Sequence, residues 1–157
     1  MSLMEHLLTL YRVDSQVRAL RSRVDAGERD VAAQQKLLGG LERQANEVAS
    51  QTRQLQATIR NLEVEAQGFA QRVEKLRADL NSSQNDKRYQ AILSEVKLLE
   101  GKKKDAEDRA VADMERLEAI KKQGETIQAQ IVERKKIHDA IAAQLTDRWA
   151  ECTDRLE

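Results

Sequence analysis

The sequence predicts an all-α protein, a long antiparallel two-helix coiled-coil hairpin, and three observations predict it. None of the 157 residues is proline, and 34% are charged, with 27 Lys+Arg against 27 Asp+Glu. Aromatic residues make up only 3%, too few to anchor the compact core of an ordinary domain of this length. Apolar residues recur with a seven-residue period in two long stretches, and a short polar run separates them. At 40% hydrophobic residues and zero net charge, the composition is not one that stays disordered.

Helix 1 is expected over about residues 4–80. Steps of three and four from Leu10 pass through Val13, Val17, Leu20 and Val24 and continue to Val73, Leu76 and Leu80. Of the 21 positions visited, only Gly27, Gln34 and Thr52 are not apolar. A heptad held for that length is a coiled-coil seam with a left-handed supercoil. A helix on a globular surface would carry a broader stripe and stop sooner. Residues 1–3, ahead of Met4, read as an expression remnant and not as a targeting signal.

The loop is expected at 81–86, where Asn81, Ser82, Ser83, Gln84, Asn85 and Asp86 form the one run of consecutive polar, weak helix formers. Such side chains bond to nearby backbone and favour turns and caps, and Asn85 or Asp86 is the candidate N-cap of the second helix.

Helix 2 is expected over about 87–157. Its seam runs Tyr89, Ile92, Val96, Leu99, Lys103, Ala106, Ala110, Asp113, Leu117, Ile120, Gly124, Ile127 and Ile131. Beyond Ile131 the heptad falls on Arg134 and His138, while Ile137, Ile141, Leu145 and Trp149 repeat every fourth residue. A drift of that kind relaxes the supercoil, so the helices are expected to splay or repack there. A short polar link between two seams favours an antiparallel hairpin. It sets Leu80 near Tyr89 and returns the chain's end to the neighbourhood of Tyr11 and Arg12. Gly39, Gly40 and, across the hairpin near Ala45, Gly124 form either a hinge or tolerated surface positions. Leu7, Leu37 and Met114 lie off the seam and are candidates for self-association into a homodimer.

The chemistry of a catalytic site is missing from the pattern, and the expectation is a protein that is not an enzyme. His6 and His138 are far apart in sequence, though the hairpin is expected to bring them within a few turns; a metal pair is the minor reading and two surface histidines the main one. Cys152, at a seam position near Trp149, reads as a small buried hydrophobe. One thiol cannot form an internal disulfide or a four-cysteine zinc site, which with the lack of a secretory segment favours a cytoplasmic location. No apolar run reaches the length of a membrane span, and no cofactor is expected in this chain.

Basic clusters at Lys102–Lys104, Lys121–Lys122 and Arg134–Lys136 invite a nucleic-acid reading. They are interleaved with acids, and both halves of the chain are neutral. The surplus of uncompensated cations on which nonspecific duplex binding depends is lacking. Near the loop, Lys75, Arg77, Lys87, Arg88 and Lys97 are partly offset by Glu74, Asp79, Asp86 and Glu95.

The run Lys87-Arg88-Tyr89-Gln90-Ala91-Ile92, followed by Glu95 and Val96, resembles the Lys-Glu-Tyr-x-Ala-Leu-x-x-Glu-Ile pattern after the loop of a bacterial family with an N-terminal helical hairpin and a C-terminal four-cysteine zinc ribbon. Glu107-Asp108 through Met114-Glu115 resembles that family's Glu-Asp…Met-Glu segment, and Leu7 through Asp14 its opening. Arg88 stands where the family usually has an acid, and no Cys-x-x-Cys pair occurs. The expectation is therefore either a fragment lacking the ribbon, and with it the zinc, or a divergent member without one. The resemblance implies a regulator-like interaction protein, because members have been linked to flagellar gene expression through a sigma-54 type sigma factor and in some cases a flagellin transcript. Lys75, Arg77, Lys87, Arg88, Tyr89 and Glu95 are the expected partner-binding residues. The alternatives are RNA binding through the basic residues of helix 2, and a structural spacer acting through self-association.

Overall fold

The computed structural model describes residues 2–156, apart from the side chains of Cys152, Arg155 and Leu156. Two helices, α1 (Leu3–Ser82) and α2 (Asp86–Leu156), pack against each other with no strand among the described residues. The ends of these helices are set by local side-chain chemistry. At the start of α1 the Glu5 N–H donates to Ser2 Oγ at 3.3 Å, and the Ser2 N–H donates to Glu5 Oε2 at 3.0 Å. That reciprocal capping box satisfies two backbone donors that a helix start leaves open. Ser2, which the sequence places in a remnant, is thus the residue that caps α1.

The loop is shorter than the polar run suggests. Asn81 and Ser82 are helical, α1 closes with the Ser83 N–H donating to Leu80 O at 3.3 Å, and only residues 83–85 connect the helices. Asn85, not Asp86, is the N-cap: its Oδ1 accepts from the Lys87 N–H at 3.0 Å and its carbonyl from the Tyr89 N–H at 2.9 Å. Asp86 begins the helix, where a carboxylate complements the positive end of the helix dipole.

The chain divides into two compact units, one of residues 46–125 and the other of residues 1–45 with 126–157. In the first, Val73, Ile92, Val96 and Leu99 form a buried group flanked by Phe69, Leu76 and Leu80. Leu62, Ala66, Ala106 and Ala110 form another. Lys103 and Asp113, the charged residues of the second seam, stay half-buried. Lys103 is ion-paired with Glu107 at 3.8 Å and Asp113 with Arg116 at 3.7 Å, so each keeps its charge at the seam's wet margin. A Cβ on Gly124 would lie 3.2 Å from Val48 Cγ1, so this glycine faces Val48 and not Ala45.

In the second unit Leu20 and Val24 are buried with Leu145 against them. Gly27 lets this contact close, for a Cβ there would stand 2.8 Å from Leu145 Cδ1. The heptad does not drift after Ile131: His138, Ile141 and Leu145 continue it inward, whereas Ile137 and Trp149 are exposed. The fourfold spacing seen in the sequence arises because Ile141 and Leu145 also belong to the heptad, with Ile137 and Trp149 outside it. Arg134, also a heptad position, is exposed. The expectation for Cys152 falls on a side chain outside the described ones, as does the return of the final residue toward Tyr11 and Arg12. Both helices run unbroken through the glycine positions, and no glycine adopts a positive φ.

Candidate protein-docking tip

All six residues expected to bind a partner lie in the unit of residues 46–125, on the side of the loop. Lys75 and Arg77 stand in the last turns of α1, Lys87, Arg88 and Tyr89 in the first turn of α2, and Glu95 two turns further on. Every one is exposed. Arg77 alone is engaged across the hairpin, through an ion pair with Glu100. Lys75, Lys87, Arg88 and Glu95 have no side-chain hydrogen bond or ion pair among the described residues.

Tyr89 departs from its expected role. The heptad makes it the first seam residue of helix 2; instead it is 41% exposed, and the first buried residue of α2 is Ile92. The cause is the short loop. The register that sets Gly124 on Val48 puts Tyr89 level with Ser83, in the connection and beyond the end of α1, while Leu80 packs with the Ile92 group. The ring is left as an apolar plate beside two cations.

Those cations sit where the backbone disfavours them. The first turn of a helix carries partial positive charge, and a cation there forgoes or opposes an interaction of about 0.3–1 kcal/mol. Asp86 offsets only part of this. Two grooves of this unit lie further along, one lined by Leu62, Ala66, Ala70, Ala110, Val111 and Met114, another by Phe69, Asp105 and Arg109 among others. The tip itself offers an exposed ring beside two exposed cations.

No protein-family model, curated protein or solved structure matches the chain.

The other sequence candidates are dispersed. Along α2, the register that sets Leu145 over Gly27 puts His138 level with Gln34, roughly eight turns from His6. The histidines are not brought together. His6 Nδ1 instead pairs with Ser2 O at 3.0 Å and His138 Nδ1 with Asp139 Oδ1 at 3.2 Å. No group of three or more His, Cys, Asp or Glu able to hold a metal occurs among the described residues, and none of the described helices is long and apolar enough to cross a membrane. Sequence reasoning missed the apolar opening of α1. Besides Leu7, it exposes Met4, Leu8, Leu10, Tyr11 and Val13. The signal was present in the spacing of Met4, Leu8 and Tyr11, a second apolar stripe beside the heptad.

Proposed function

We propose that the chain is a non-enzymatic interaction protein, an adaptor whose hairpin tip docks on a protein partner. The observation that carries this reading is the cluster of Lys87, Arg88 and Tyr89, exposed together in the first turn of α2, with the two cations unpaired and placed against the helix dipole. Charge kept where it costs stability, next to an exposed aromatic ring, suits a partner that supplies carboxylates and an apolar contact. Tyr and Arg are the residue types in which interface binding energy concentrates. The resemblance of the tip to the zinc-ribbon family supports a cytoplasmic regulator, with a sigma-54 type sigma factor as the partner to try first. The family's zinc would belong to a ribbon and not to this hairpin.

The experiment is a titration of that purified sigma factor against the chain and against Lys87→Ala/Arg88→Ala and Tyr89→Ala. Each variant is expected to weaken binding at least about tenfold, a hot-spot effect, with helicity by circular dichroism unchanged. Binding that is absent, or indifferent to both changes, removes the sigma factor as the tip's partner. A strongly salt-dependent shift with RNA in its place would favour the nucleic-acid reading.

A further inference from the structure

Within the unit of residues 46–125, one flank of α2 carries a stripe that the seam does not use. Leu93, Lys97, Glu100, Lys104, Glu107 and Val111 follow one another at steps of four and three, which keeps them on one side of the helix. Leu93 is half-buried and the other five are exposed, Val111 by 54%. α1 shares this flank: Arg77 is ion-paired with Glu100, and Glu63 and Ala70 line a groove with Glu107, Val111 and Met114.

The order of charges along the flank selects a partner and an orientation. In an antiparallel contact between two copies of α2 centred at the level of Lys102, Lys97 stands level with the partner's Glu107, Glu100 with the partner's Lys104, and Leu93 with the partner's Val111. α1 repeats the pattern about Ala70, which sets Glu63 level with the partner's Arg77. The two centres coincide, because Gly124 faces Val48 and equal steps from that contact toward the loop bring Ala70 level with Lys102. A single two-fold axis across the hairpin therefore satisfies both helices, and a two-fold is the commonest symmetry of protein pairs. An axis along the hairpin would instead set Glu63 beside the partner's Glu107 and Arg77 beside the partner's Lys97, like against like. The transverse axis also lays the partner's Leu93 over the groove at Leu62, Ala110 and Val111, while the small Ala70 at its centre lets the helices approach closely. From Met114 to its counterpart Gln90 the contact runs about 36 Å and is roughly 20 Å wide, on the order of 700 Å². That is close to the ~800 Å² that each side of a standard interface contributes.

We infer that this flank, residues 63–77 of α1 with 90–114 of α2, is a homodimer interface that pairs antiparallel with the same flank of a second copy. Arg88 and Glu95 lie on the other side of α2, so the inference is independent of what the tip binds. It gives the assembly two tips roughly 40 Å apart, so that a partner offering two sites would be held by avidity.

The test is sedimentation equilibrium of the full chain, with helicity of every variant checked by circular dichroism. The wild type and Leu98→Glu, an exposed change on the other flank of α2, are expected to be dimers at ~100 μM, while Val111→Glu raises the dissociation constant about tenfold or more. Orientation is read by exchanging charges. Lys97→Glu/Lys104→Glu makes the four charged positions of the stripe all acidic, and Glu100→Lys/Glu107→Lys makes them all basic. Each variant alone is expected to self-associate at least about tenfold more weakly than the wild type, and an equimolar mixture to form a mixed dimer of wild-type affinity. A wild type that is monomeric at ~100 μM, a dimer indifferent to Val111→Glu, or a mixture that associates no better than its components would each overturn the inference.

Discussion

Gly27 offers the sharpest test of the packing, because its substitution by alanine sets two known effects against each other. Gly27 and Gly68 are both interior to α1, and replacing a helical glycine by alanine is worth about 1 kcal/mol in backbone entropy and propensity. At Gly68 nothing lies within 4 Å of the added methyl, so Gly68→Ala should realise that gain and raise the melting temperature by about 2–4 °C. At Gly27 the methyl would stand 2.8 Å from Leu145 Cδ1, where ordinary contact begins near 3.4 Å. The Leu145 terminal methyl must then shift where the side chain packs on Leu20 and Val24, and overpacking in such a contact costs about 1–3 kcal/mol. Gly27→Ala should therefore be neutral or destabilising by up to about 2 kcal/mol, leaving a gap of about 1–3 kcal/mol between the two sites. Urea denaturation at fixed protein concentration measures both, since any self-association makes the midpoint concentration-dependent. In a Leu145→Ala background the obstruction is gone, and Gly27→Ala should become stabilising. If Gly27→Ala stabilises the unaltered chain as much as Gly68→Ala does, the close approach of Leu145 is refuted.

The packing sets three further outcomes. Leu62, only 4% exposed in the alanine-rich group, should cost about 2–4 kcal/mol when changed to Ala, whereas exposed Val64→Ala should stay within about 0.5 kcal/mol by the same urea assay. Asn85→Ala should lose about 1 kcal/mol with its cap, and amide exchange should rise first at Lys87. Gln34 Oε1 and His138 Nε2 are buried without hydrogen-bond partners at the same level of the seam, so Gln34→Leu/His138→Leu should raise the urea midpoint. A lower midpoint would show that the two bond to each other in solution.

The heptad carried most of this fold in plain view. Every position it assigned from Val17 to Leu80 is buried or half-buried, and so is every position from Ile92 to Ile131. A two-helix seam has only one narrow interface, and the pattern and that interface are then the same information. Legibility failed where local terms competed. Asn81 and Ser82 have weak helix propensity, yet two more helical residues cost little once Leu80 is anchored, and the loop shrank accordingly. Past Ile131 two spacings coexisted in the sequence, and only the inward place of His138 shows which one the chain follows. The tip was legible as a set of exposed residues, but not the exposure of Tyr89, which depends on how many loop residues separate the helices. The apolar opening of α1 went unread because its stripe is visible only after the heptad has been subtracted.

The seam also prescribes an order of assembly. Near the loop, Arg77 and Glu100 are 23 residues apart in sequence, whereas Gly27 and Leu145 are separated by about 120, and closing the longer span first would cost about 1.4 kcal/mol more in chain entropy. Contacts are therefore cheapest to make beside the loop and then in succession away from it, each new turn shortening the closure required of the next. A chain built this way closes like a zipper whose slider is the three-residue connection at 83–85. Because the buried residues described are all apolar or glycine, and Gln34 and His138 bury only single polar atoms, few specific locks interrupt its travel. The last teeth to meet are Leu20, Val24 and Leu145, and thermal opening should begin among them.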